Sequence, residues 1–220
     1  MFSRISLNGN KFTQYEDGKR TPVADDSINV VIVSSAPVSR TYYKGEYDPD
    51  RTSPPTCWSA TNASPSPDVP PEQRQSIRCL DCVHNHKGSG SGGGRACRFV
   101  MRLAIALEDD LDKIHQLQLP ATSVFGDAKN GNMPMQAYSR HLRTHKTPAI
   151  SVVTNVYFDA DSYAPKLFFK PIRPLEENEL GLAHELASQQ QTTEAISMSM
   201  PVKRPNFAEV NGFVYTANAN

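Results

Sequence analysis

The chain has 220 residues, enough to bury a core without disulfide staples and too few for a large multidomain enzyme. Lys+Arg and Asp+Glu balance at 23 each, so no global charge marks a polyanion or membrane partner, and any electrostatic footprint has to come from local clustering. No run approaches the roughly 18 apolar residues of a membrane helix, and the opening stretch MFSRISLNGNKF lacks the apolar segment of a secretory signal. The expected location is the cytoplasm, without membrane association.

Residues 1–27 are polar, with short apolar pieces (Ile5, Leu7, Phe12) between turn formers, and predict at most an edge strand with no core contribution. The first buried strand is expected at 28–34, INVVIVS, a β-branched run bounded by Asp25, Asp26 and Pro37. Residues 40–47, RTYYKGEY, alternate: Tyr43 and Tyr47 fall on one side, Arg40, Tyr42 and Lys44 on the other. From 48 to 72 the prolines at 54, 55, 65, 67, 70 and 71 preclude a continuous sheet and predict an extended insertion.

All four cysteines, Cys57, Cys79, Cys82 and Cys97, lie in or just beyond that stretch, spaced C-x21-C-x2-C-x14-C. In a reducing compartment such a cluster reads as metal ligands rather than disulfides, and C-x2-C is the short loop that places two sulfurs on one ion. Four thiolates satisfy a tetrahedral Zn²⁺ and leave no open position for water, so the expected site is structural. His84 or His86 can stand in for a distant cysteine such as Cys57. Trp58 is expected to pack at the site. The Gly/Ser run 88–94 lacks the Lys-Ser/Thr ending of a phosphate loop and reads as a flexible tip.

Residues 95–107, RACRFVMRLAIAL, predict a strand with a basic first half, although such an apolar run also suits a helix. Glu108, Asp109, Asp110 and Asp112 read as a turn, and Leu117 and Leu119 lead to Pro120. Met135, Tyr138 and Leu142 form the apolar stripe of a helix over 135–145. Strands are expected at 149–158 and 166–170, the second with Lys166, Phe168 and Lys170 on one face. Pro171 and Pro174 should close the sheet, 176–187 should be an acidic helix, and the chain from Ser188 should be flexible. The patch 210–215, with its Asn-Gly turn, reads as a small hairpin or a partner-docking motif.

The basic residues are segregated: 74–102 holds six Lys/Arg against one acid, and 129–146 holds four with none. Tyr42 and Phe168 each sit between two cations, which suggests a stacking platform, where a base on an exposed ring is worth about 1–3 kcal/mol and nearby cations neutralise phosphates. No nucleophile elbow, H-E-x-x-H or deaminase signature is present, so no enzyme is expected. His84-Asn85-His86 beside cysteines resembles the arrangement in treble-clef nucleases and keeps a metal-dependent nuclease as an alternative.

Ile28-Asn-Val-Val-Ile-Val33, Tyr42-Tyr-Lys-Gly45, Cys57-Trp-Ser59, Cys79-Leu-Asp-Cys82, Gly88-Ser-Gly90, Arg95-Ala-Cys-Arg98 and Leu119-Pro120, followed by Val152-Val-Thr154 and Leu167-Phe-Phe169, resemble in pattern and order the bacteriophage single-stranded DNA-binding proteins of OB fold that carry a zinc-binding insertion. The resemblance implies a mainly β (α+β) protein: a five-stranded OB barrel over 28–175, a zinc-ribbon-like insertion at about 48–97, one or two helices, a polar segment at 1–27, and an acidic helix and tail over 176–220. It implies non-catalytic, sequence-tolerant coating of single strands in phage DNA replication or recombination, in the host cytoplasm, as a homo-oligomer or cooperative assembly. Tyr42, Phe168 and Tyr157 would lie under bases, with Arg40, Lys44, Arg98, Arg102, Lys166 and Lys170 on phosphates. Such proteins often recruit replication or recombination partners through an acidic C-terminal tail. This chain ends in Tyr-Thr-Ala-Asn-Ala-Asn, so the expectation is either no partner recruitment through the C-terminus or recruitment through Phe213 to Tyr215 instead. The second alternative is a zinc-containing adaptor of host transcription or replication machinery.

Overall fold

The computed structural model describes residues 3–24, 26–45 and 55–198, so the expectations for Tyr47 and for 210–215 lie outside the described residues. Two strands form the middle of a single sheet because their side chains suit burial on both faces. They are β4 (Ser27–Ser35), rich in Val and Ile, and β7 (Arg98–Leu107), which alternates large and small apolar residues. They pair antiparallel, with Val30 opposite Leu107 and Ser35 opposite Leu103. On one side β4 pairs with β9 (Val152–Phe158), which carries β10 (Leu167–Pro174) at the edge. On the other, β7 turns directly into β8 (Asp110–Pro120); β1 (Ser3–Asn8) runs parallel to β8 and leads into β2 (Lys11–Glu16) and β3 (Lys19–Ala24). The short β5 (Ser39–Tyr42) continues alongside the first half of β7 and holds β6 (Cys57–Ser59).

The ten-stranded sheet is strongly curled into a half-barrel. Its curl is visible in the contact of Phe12 on β2 with Phe158 on β9, ring centroids 4.6 Å apart, although these strands are far apart in the sheet order. The inner face holds the larger core, including Phe12, Ile32, Leu103, Ile105, Leu117 and Phe169. Helix α1 (Ala121–Val124) and helix α2 (Met135–Thr144) close it with Val124, Met135, Tyr138 and Leu142, and the Tyr138 hydroxyl lies 2.7 Å from Thr154 Oγ1. The outer face holds a second core of Val31, Val33, Ala104, Ala106 and Ile114. It is covered by α3 (Glu177–Ser188) and α4 (Gln190–Ile196) through Ala183, Leu186 and Ala195.

The strand at 28–34, the strand ending at Leu107, the helix from Met135 and the acidic helix stand where their periodicity puts them. Four expectations change. Residues 3–24 contribute three strands and core residues, Phe12 being fully buried and Ile5 nearly so, because the few apolar residues there all fall on one face. With these three, β6 and β8, the sheet has ten strands in place of five. Residues 110–120 are a strand: the acidic turn is only the tip of the β7–β8 hairpin. Pro171 and Pro174 lie inside β10, tolerated because it is an edge strand with a register shift at that point. Finally, 190–196 is helical, with Thr192 and Ala195 buried on the sheet. Among the described residues no helix is long and apolar enough to cross a membrane.

Arg173 on β10 ties α3 to the sheet. It meets Glu179 at 2.7 Å and Glu108 at 2.8 Å, and Glu179 also accepts from the Glu176 backbone N–H in a capping box. The Arg173 hydrogen bonds, followed by the Glu176 amide, hold the Glu179 carboxyl down at about 2. A depressed carboxylate contributes stability that is present above its unfolded pKa of about 4.3 and is lost as pH falls through the folded value. Urea midpoints for the wild-type chain should therefore fall between about pH 4.5 and 2 more steeply than those of Glu179→Gln; identical slopes would mean the clamp carries no proton-linked stability.

Candidate metal centre and nucleic-acid interface

The insertion between β5 and β7 has little apolar material of its own. Its buried cluster is Cys57, Trp58 and Val69, with Tyr42 and Met198 against it. Short 3-10 turns at Cys79–Asp81 and Val83–Asn85 bend the C-x2-C knuckle, where the Cys82 amide donates to the Cys79 carbonyl at 3.4 Å. The Cys97 amide donates to the His84 carbonyl at 2.8 Å, which ties the knuckle to the root of β7.

All four cysteines are buried, none is in a disulfide, and all four line one small cavity of about 20 Å³ together with Arg40, Trp58 and Gln75. Roughly 10–15 Å³ accommodates one water-sized occupant, so the cavity has room for a single ion. Burial pushes the Cys97 thiol up to about 11; Arg40 opposes this, and Cys82, Cys79 and Cys57 add to it, so the sulfurs stand within electrostatic reach of one another. Burial likewise raises the Cys57 thiol. Among the described residues no three His, Cys, Asp or Glu side chains already stand in metal-holding geometry. The thiols converge on the cavity without closing a ligand shell. Their number and softness suit Zn²⁺, which would supply the positive charge that four clustered thiolates need.

His84 and His86 do not line this cavity. His84 stacks on Tyr42, centroids 3.9 Å apart and planes 16° apart, and its Nε2 lies 3.1 Å from Gln75 Oε1; His86 is exposed. Between them Asn85 is buried. It donates through Nδ2 to the Cys79 carbonyl at 2.9 Å and accepts from Arg40. The His-Asn-His triplet thus points three ways and forms no common site.

The nine residues expected on nucleic acid are distributed over separate surfaces. Arg40 pairs across strands with Phe99, which alternates with Met101, Leu103 and Ile105, so Arg40 and Tyr42 belong to the inner side. The Arg40 guanidinium sits 3.9 Å above the Phe99 ring and donates to the buried Asn85, so it is already engaged within the protein. Tyr42 is half-buried, with one ring face taken by His84. Phe168 and Tyr157 lie on the outer side, 5.9 Å apart; Phe168 is only 7% exposed, under Lys166 Nζ at 4.6 Å. Lys166 is itself paired with Asp159 at 2.7 Å, and the Tyr157 hydroxyl donates to Asn132 at 2.9 Å. This intended platform is closed by its own cation. Arg102 is buried on the outer side, whereas Lys44, Arg98 and Lys170 are exposed.

A further cation–aromatic group, which no stretch of the sequence displays, lies on β1–β3. Arg4, Tyr15 and Arg20 stand opposite one another across three adjacent strands, with the Arg4 guanidinium 4.6 Å and the Arg20 guanidinium 6.0 Å from the Tyr15 ring centroid. Each strand carries one member, so no local window contains the pattern. Only the pairing register reveals it.

No family model, curated protein or solved structure matches the chain.

Asn85 is the joint between insertion and sheet, because losing its acceptor strands a buried guanidinium. Asn85→Ala should destabilise the protein by about 2–3 kcal/mol in chemical denaturation, while Asn85→Asp, which keeps an acceptor for Arg40, should cost less. A change in Asn85→Ala of under about 0.5 kcal/mol, the scale of an ordinary surface substitution, would show that Arg40 finds another partner.

Proposed function

We propose that this is a non-catalytic, sequence-tolerant single-stranded DNA-binding protein of replication or recombination. Its curled sheet is read as an OB-related barrel extended by β1–β3, and a structural Zn²⁺ on Cys57, Cys79, Cys82 and Cys97 ties down the insertion. The observation that carries the reading is an outer sheet surface on which cations stand beside an aromatic ring, Arg4, Tyr15 and Arg20 above all. Rings supply stacking to any base, and cations supply phosphate neutralisation, without a sequence code. Lys44 and Arg98 are exposed cations able to extend the phosphate track.

The metal would act on binding through β7. Cys97 directly precedes that strand, and Arg98 and Arg102 alternate on its outer side, so closing the thiolate site would fix where these two cations stand. One zinc per chain is expected by elemental analysis of protein purified without chelator, and Cys97→Ser should lose it. A metal-free chain with unchanged thermal stability and unchanged DNA affinity would separate the insertion from the function.

Titration of the full chain with fluorescent oligo-dT should give saturable binding that weakens as salt rises, log K falling by about 0.7 per log unit of salt for each phosphate neutralised. Absence of binding at low salt, or affinity indifferent to salt, would sink the reading.

A second reading has its own observation. Ile77, Leu80 and Val83 on the cysteine insertion are 90%, 67% and 66% exposed, an apolar trio on an otherwise polar loop. Such a patch favours an adaptor that docks on transcription or replication machinery. Recovery of a polymerase or helicase after nuclease treatment, from a chain without oligonucleotide affinity, would select it.

A further inference from the structure

We infer that the single strand crosses the outer face of β1, β2 and β3 along a ladder of Arg20, Tyr15 and Arg4, and continues towards Arg102 and Tyr43. This rests on the function proposed above and specifies its binding surface.

The register defines the path. Arg20 faces Tyr15, Tyr15 faces Arg4, and Arg4 faces Gln116 on β8, whose side-chain amide donates to the Ala195 carbonyl of α4, so the path turns to Gln118, two residues on and on the same side, which faces Arg102 on β7. Neighbouring strands lie about 4.8 Å apart, so the row from β3 to β7 crosses roughly 20 Å of surface. It is the side opposite the core, because Ile5 and Phe12 of the same strands point inward. No carboxylate shares this side on β1, β2 or β3: the acid of β2, Glu16, faces inward and is paired with Lys113.

The chemistry suits a nucleotide chain. Arg20 is exposed on the edge strand β3, and bases stack on guanidinium planes as they do on rings. Tyr43 is 46% exposed. Arg102 is the independent sign of a missing ligand: only 9% of it is exposed, yet its Nη1 is buried with no hydrogen-bond partner among the described residues. A buried guanidinium nitrogen without an acceptor is costly, and a phosphate oxygen is the acceptor its geometry matches best. The alternative platform at β9–β10 lacks these properties, since Lys166 covers Phe168 and is neutralised by Asp159. Helices α3 and α4 stand between the two places on the outer face, so one continuous track cannot use both.

The test uses the full chain and oligo-dT by fluorescence anisotropy, with thermal melts on every variant. Tyr15→Ala should weaken binding about tenfold, in the range of one lost stacked base, and Tyr15→Phe should restore it. Arg20→Glu, at an exposed edge position, should weaken binding and lower the salt slope, whereas Lys170→Glu should change affinity by less than twofold. Photocrosslinking of 4-thiothymidine-substituted oligo-dT to wild-type protein should label peptides spanning 11–20 or 43, independently of any folding defect in a variant. Wild-type protein that does not bind overturns both the function and the ladder. Wild-type binding with Tyr15→Ala and Arg20→Glu unaffected, or crosslinks confined to 157–170, overturns the ladder alone. Displacement of the oligonucleotide by a polyglutamate peptide of equal length and charge, as readily as by unlabelled oligo-dT, overturns the stacking and leaves a general polyanion surface.

Discussion

The architecture depends on β7 having to satisfy two cores at once. Leu103 and Ile105 fill the inner face while Ala104 and Ala106 lie on the outer one, and all four are fully buried. The size difference has a structural use. Large residues fill the hollow of a curled sheet, where α2 alone cannot reach, and alanines let α3 and α4 approach the outer backbone closely. A larger residue at Ala104 or Ala106 would push the helices off, and a smaller one at Leu103 would leave a void where Tyr138 and Phe169 meet the sheet. Because β4, β5 and β8 all pair with β7, its position also sets the rest of the sheet.

The cysteine insertion faces a different constraint. It leaves the sheet at β5, returns at Cys97, and buries almost nothing apolar besides Trp58 and Val69. A loop of that size cannot offset its conformational entropy with so small a cluster, so specific polar ties carry the load. The buried Arg40 guanidinium is one, held by the Phe99 ring below and Asn85 beside it, with Nε still lacking a partner. Hydrogen bonds from the Cys97 amide to the His84 carbonyl and from Asn85 to the Cys79 carbonyl are others. Four buried thiols line one small cavity beside Arg40, which lowers the proton affinity of Cys97 against the pull of burial.

The elements that could be read from the chain were those whose pattern is local. The β-branched run of β4, the stripe of α2 and the capping region of α3 each announce themselves within one window. What could not be read was pairing. The strands of 3–24 look too polar for a core, since one apolar residue on every second position suffices when a single face is buried, and Phe12 does for β2 what a longer apolar run does for β4. The helix after Ser188 looks like a disordered polar tail because its only buried residues are the small Thr192 and Ala195. For the candidate sites the same division holds. The cysteines are one cluster in sequence and one cluster in space, whereas the basic-aromatic triplets around Tyr42 and Phe168 alternate as expected but project to opposite sides of the sheet.

Alternation says that two residues share a side; it does not say which side, nor whether another element covers it. The charge balance makes the same point at the scale of the whole chain. Lys+Arg and Asp+Glu are equal in number, yet some of the described charges cancel in local pairs: Glu16 with Lys113, Asp127 with Arg140, Asp159 with Lys166, and Glu108 and Glu179 with Arg173. Each such pair is nearly silent beyond a Debye length of about 8 Å in physiological salt. The remaining charges shape the external field, and on the outer side of β1 to β3 register gathers Arg4 and Arg20 beside a tyrosine. A neutral protein can in this way present a basic surface, because net charge sums over all residues while a polyanion samples only the face it touches.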